Sequence, residues 1–189
     1  MRSPRRIAPY GAMTARAQFV FGYGSLAAGF AGPRAQLHGH RRVWGVAMDN
    51  RLDIPGYKSY RRLQDGTRPA VFVAFLDIVE DPGGAIDGVL LAVDAGALRV
   101  LDERERNYDR VDVTAAVAPA PGTVWTYRGN DAGRERLRTG LRTGSAVVDA
   151  AYLEAVRATF SALGIDEDVR PGADLPALAL RRLDLPPAR

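Results

Sequence analysis

Four segments of strand character crowd the first half of this chain, with no helix of adequate length between them. They cover residues 18–23 (QFVFGY), 35–49, 70–79 (AVFVAFLDIV) and 85–93. Aromatic and β-branched residues dominate the first and third, and turn residues separate the set. Parallel neighbours in a sheet need crossovers of a dozen or more residues, usually helical. The first strands therefore do not form a doubly wound parallel sheet. Asp81-Pro82-Gly83-Gly84 predicts a turn, after which residues 85–93 return as a strand. Residues 50–68 are polar and turn-rich.

Further along, Asp94 is placed to cap a helix over residues 95–106. Residues 108–117 (YDRVDVTAAV) alternate like a strand, and residues 123–128 (TVWTYR) form another. A second helix is predicted over residues 149–163, with Tyr152, Val156, Phe160 and Leu163 on one side and Gly164 ending it. The pattern predicts an α+β fold, a small mixed β-barrel with flanking helices. Residues 1–17 read as a flexible basic leader, 18–165 as the domain, and 166–189 as a tail packed on it.

Composition removes several chemistries. The 189 residues include no cysteine and two histidines, His38 and His40. Disulfides, thiolate zinc sites, a cysteine nucleophile and a three-histidine metal site are excluded. His38-Gly39-His40 would point both imidazoles to one face of a strand, as an ordinary surface pair or as two ligands of a metal site. No apolar run approaches the ~20 residues of a membrane span, and the leader lacks a secretory apolar core. Together these point to the cytoplasm. Of 26 basic residues, seven arginines precede the first acid, Asp49. The remainder carries 19 basic against 22 acidic residues, so the positive charge is a property of the N-terminal arm. A basic arm can bind nucleic acid, and Arg41, Arg42 and Trp44 could form a stacking patch for a single strand. The net negative body makes nucleic acid an unlikely partner.

Two motifs carry candidate chemistry. In Phe21-Gly-Tyr-Gly-Ser-Leu26 a strand runs into glycine and serine, offering successive backbone N–H groups to a carboxylate or phosphate. The bland alternative is a strand-ending turn. The second motif is Leu101-Asp-Glu-Arg-Glu-Arg-Asn-Tyr108. Leu98, Leu101 and Glu105 share one helical face, so a core-facing pair of leucines would carry Glu105 inward. Burial would raise its pKa and suit it to taking and returning a proton. The residues equally allow a solvated helix end, with Glu105 paired to Arg104, Arg106 or Arg110.

The order and spacing of these motifs resemble the γ-glutamylcyclotransferase-like family, over about residues 18–130. The matching positions are Tyr23, Gly24, Ser25 and Leu26 in the loop, Leu101-Asp102-Glu103-Arg104-Glu105 followed by Tyr108, and Tyr127 in TVWTYR. The resemblance implies that a γ-glutamyl group cyclises to 5-oxoproline, releasing an amine or amino acid. Glu105 would be the catalytic acid/base. Tyr23, Gly24, Ser25, Leu26, Tyr108 and Tyr127 would bind substrate. The nucleophile is the substrate's own amine, so no cofactor or metal is implied. The expected partner is a small γ-glutamyl molecule, and the chain would work as a monomer or homodimer. Arg104 and Arg106 depart from the family's helix pattern and bear on the pocket rim or on the pKa of Glu105, and residues 49–68, including Tyr57, Lys58 and Tyr60, are expected to cover the pocket without an assigned role. Other readings of the chain are a non-catalytic binding module of this fold and a basic-arm nucleic-acid binder.

Overall fold

A computed structural model describes residues 16–27, 32–118, 120–166 and 169–187. The expected leader lies outside it up to residue 15. Strand β1 (Gln18–Gly22) is followed by a single 3-10 turn (Ser25–Ala27) and β2 (Arg34–Asp49). Then come β3 (Lys58–Arg62), β4 (Phe72–Val93) and helix α1 (Ala95–Arg104). Next are β5 (Tyr108–Asp112), β6 (Thr123–Gly129), α2 (Asp131–Arg142), β7 (Ala146–Asp149) and α3 (Ala150–Ala162). Two short strands, β8 (Ala177–Leu178) and β9 (Leu180–Asp184), end the described fold.

One sheet runs in the order β5-β6-β1-β4-β7-β8, with β2 also paired to β4, and β3 pairs with β9 in a separate two-stranded sheet. The main sheet is mixed: β1 lies antiparallel to β4 and parallel to β6. The class is α+β with flanking helices, as expected. Among the described residues, hydrogen bonding does not close the sheet into a barrel.

The predicted hairpin at residues 81–84 is not formed. Strand β4 continues through it and stays antiparallel to β2 on both sides. His38 faces Ala85 and His40 faces Glu80, so only Gly39 opposes residues 81–84. The Pro-Gly-Gly run is a bulge, not a reversal. Gly39 makes this possible with φ +73°. The same bulge breaks the regular alternation expected of His38 and His40, and among the described residues no cluster of three or more His, Asp or Glu could hold a metal. The strand expected over residues 108–117 ends at Asp112, where Asp112 accepts from the Thr114 backbone and hydroxyl and starts a 3-10 turn.

Helix α2 and strand β7 were not legible in the sequence. The buried face of α2 is Gly133, Leu137 and Gly140. A Cβ on Gly140 would stand 2.9 Å from that of Phe72, and one on Gly133 would stand 2.8 Å from the Asn107 carbonyl. Glycine lets this helix lie close on β2 and β4. Its packing surface consequently carries almost no apolar signal. Capping is clearer: Asp94, Asn130 and Asp149 each accept a backbone N–H at the start of α1, α2 and α3. The core is built from Phe21, Leu37, Ile78, Val124, Val148, Val156 and Phe160, all nearly or fully buried. No described helix is long and apolar enough to cross a membrane.

Candidate active site

The loop after β1 is set by sterics beneath it. Gly22 leaves room for the chain to fold back, since a Cβ there would approach Ala27 N to 3.1 Å. The Ala27 N–H donates to the Gly24 carbonyl at 2.9 Å, closing the turn. The first N–H groups of such a turn, those of Ser25 and Leu26, have no partner within it, and Gly24, Ser25 and Leu26 all line the niche. Gly24 has no positive φ, contrary to the unusual dihedral its sequence context allowed. A Cβ there would make ordinary van der Waals contact with Leu76 Cδ1 at 3.7 Å and Tyr152 Oη at 3.8 Å. From below, Arg42 Nε donates to the Tyr23 carbonyl at 2.7 Å, while the guanidinium covers the Phe160 ring at 4.5 Å.

Glu105 sits at the end of its helix, which is shorter than the expected 95–106. Helix α1 stops at Arg104, and Glu105 is its C-cap with φ −89° and ψ 48°. Its N–H still donates to Leu101 at 2.8 Å, and its carbonyl accepts from Tyr108 at 2.9 Å. Its N–H keeps the helical bond to Leu101, so the side chain still leaves the chain on the face of Leu98 and Leu101, and turns inward as expected. Its carboxylate is 15% exposed and lies 3.2 Å from Arg104 Nε. Burial raises its pKa, and Arg104, Lys58 and Arg182 oppose that rise without cancelling it.

Loop and carboxylate meet. A narrow niche is lined by Tyr23, Gly24, Ser25, Leu26, Glu105, Tyr108, Tyr127 and Tyr152. It joins a cleft of about 510 Å³ through Ser25, Glu105, Tyr108 and Tyr152, which line both. That volume is ordinary for a small-molecule site. The three expected tyrosines are all at the niche, but their hydroxyls are held by the protein. Tyr23 donates to the Tyr127 carbonyl at 2.6 Å, Tyr108 to the Leu76 carbonyl at 2.6 Å, and Tyr127 to Asp102 at 2.9 Å. They shape the niche more than they offer donors to it. The Leu26 side chain packs into an apolar cluster with Val20, Val89, Leu91 and Leu98, leaving its backbone as its polar contribution.

Residues 49–68 do supply part of the cleft's outer wall, through Tyr57, Lys58 and Tyr60, while the part played by β9 was not legible in the sequence. Strands β3 and β9 form this wall, contributing Tyr57, Lys58, Tyr60, Arg182 and Asp184, with Asp149 and Tyr152 from the start of α3. Tyr57 is fixed by Asn107, whose amide donates to its hydroxyl at 3.1 Å, and Asn107 in turn accepts from Arg136 at 2.8 Å.

Residues 20–145 match the model of the family described as gamma-glutamyl cyclotransferase, AIG2-like. The chain belongs to this family. No curated protein matches it. Among solved structures, one described as gamma-glutamyl cyclotransferase shares 16% identity with a TM-score of 0.41, covering 82% of this chain and 92% of its own. A human protein described as uncharacterized gives the same identity, TM-score and coverage. An Arabidopsis thaliana protein solved in solution shares 17% identity with a TM-score of 0.36, covering 86% of this chain and 99% of its own. These likenesses are distant, and membership rests on the family match.

Proposed function

We propose that this family member is a γ-glutamylcyclotransferase-type enzyme. It converts the γ-glutamyl group of a small substrate to 5-oxoproline and frees the attached amine or amino acid. One observation carries the reading: a buried carboxylate, Glu105, stands at the junction between the amide-bearing niche and the cleft. The backbone of Gly24, Ser25 and Leu26 receives the substrate's α-carboxylate. This bends the γ-glutamyl chain so that its α-amine meets its own γ-carbonyl carbon. Positioning of this kind is worth several kcal/mol of barrier.

Glu105 then manages the proton. The amine nitrogen bonds to the γ-carbon and gives a proton to the carboxylate. The resulting acid protonates the departing nitrogen as its bond to the γ-carbon breaks. A carboxyl with a raised pKa suits both halves, because it holds the proton between steps. The nucleophile comes from the substrate, so the scheme calls on no enzyme nucleophile and no cofactor. A soluble cytoplasmic site of action, as monomer or homodimer, fits a small-molecule substrate.

The test is 5-oxoproline release from a panel of γ-glutamyl compounds. Glu105→Gln keeps the shape and removes the proton acceptor, and should lower kcat by roughly 10²- to 10⁴-fold with KM little changed. A Gln variant turning over at near wild-type rate would refute the assignment.

A further inference from the structure

The charges of the outer cleft pair off with one exception. Arg104 contacts Glu105 at 3.2 Å, and Arg182 contacts Asp184 at 2.6 Å. Asp149 caps α3, accepting the Ala151 N–H at 3.2 Å. Lys58 is left. Its ammonium sits 4.0 Å from the Phe75 ring centroid and 5.3 Å from that of Tyr57. Among the described residues it has no ion pair and no hydrogen bond. Aromatic faces hold a cation but do not neutralise it. The group lines the cleft and is absent from the niche, whereas Glu105 lines both.

We infer that Lys58 is the specificity-determining residue of this site, binding a carboxylate on the leaving amine, so that γ-glutamyl amino acids are preferred over γ-glutamylamines. The inference rests on the cyclotransferase reading. With the γ-glutamyl end in the niche and its γ-carbonyl at Glu105, the leaving group extends into the cleft. There it meets an unpaired cation. A carboxylate completes the hydrogen bonding of the ammonium and offsets the cost of its burial with an opposite charge. A neutral alkyl amine leaves Lys58 unsatisfied, and a cationic diamine faces like charge while Asp149 is occupied by backbone N–H groups.

The experiment compares γ-glutamylalanine with γ-glutamylethylamine, which differ by that carboxylate alone. Wild type should favour γ-glutamylalanine by 10- to 100-fold in kcat/KM, on the order expected of a hydrogen bond to a charged group. Lys58→Gln should bring the ratio close to one, mainly through KM for γ-glutamylalanine, and Lys58→Arg should retain the preference. The wild-type comparison does not depend on any variant folding. Equal wild-type efficiency on the two substrates overturns the inference while leaving the cyclotransferase intact. An equal loss on both in Lys58→Gln also overturns it, by moving Lys58 to the γ-glutamyl half. If wild type releases 5-oxoproline from neither substrate, the cyclotransferase reading falls and this inference with it.

Discussion

Replacing Lys58 by methionine should stabilise the protein at neutral pH. Burial lowers the pKa of the ammonium from 10.5 to about 8, and the neighbouring Glu105 offsets only part of that fall. At roughly 1.4 kcal/mol per pH unit, the charged form is disfavoured in the folded state by about 3 kcal/mol. Contacts with Phe75 and Tyr57 return at most a third of it, at ~0.5–1 kcal/mol. Methionine has nearly the same length and an apolar stem, and its sulfur packs well on aromatic edges. The expected gain at pH 7 is therefore about 1–3 kcal/mol.

The gain also has a defined pH dependence. Below about pH 8 both folded and unfolded wild-type chains carry the proton, and the penalty is complete. Between about 8 and 10.5 the folded chain has released it while the unfolded chain keeps it, so wild-type stability rises with pH relative to the variant. Above 10.5 the difference due to charge is gone. Tyrosines such as Tyr57, raised by burial to about 12, weaken both proteins at high pH and cancel in the comparison. Urea denaturation followed by tryptophan fluorescence at pH 7, 8, 9 and 10 measures the gap. A methionine variant less stable than wild type at pH 7, or a gap equal at pH 7 and 10, would refute the reasoning. The combination of higher stability and poorer use of γ-glutamylalanine would mark Lys58 as a residue kept for binding at a cost in stability.

Arg104 lowers the pKa of Glu105, so Arg104→Gln should move the acid limb of the kcat/KM–pH profile upward; an unchanged or downward limb would show that Glu105 does not set it. Gly140→Ala should destabilise by about 1–3 kcal/mol, because the new methyl would stand 2.9 Å from the Phe72 Cβ and 3.0 Å from the Ala146 Cβ. Thermal unfolding checks this, and a neutral or stabilising effect would mean that α2 can shift on its sheet.

Local chemistry was legible where it writes itself into adjacent residues. The aromatic run before Gly24 gave β1, Asp94 gave the start of α1, and the loop and Leu-Asp-x-x-Glu motifs gave the family. Elements whose signal is tertiary were not. Helix α2 packs through glycines, so periodicity of apolar residues could not find it. The Asp-Pro-Gly-Gly segment has turn chemistry, yet cross-strand pairing with β2 on either side holds it as a bulge. Residues 49–68 were legible as a pocket cover but not as a strand-bearing wall, because their anchor is tertiary: Asn50 is buried, its amide donating to the Tyr60 and Pro69 carbonyls at 2.9 and 3.0 Å and holding β3.

The sequence by itself determined that this chain is cysteine-free, strand-rich in its first half, and equipped with an amide-bearing loop and a candidate glutamate. Those properties depend on residue types and short spacings. The tertiary structure alone decided that Glu105 opens on the loop's niche and that Lys58 stands unpaired beside it. The backbone register that sets β3 against β9 joins distant parts of the chain, and the desolvation of Lys58 and Glu105 comes from every element packed around them. Burial of a charge is a property of that assembled surround, which no stretch of neighbouring residues encodes.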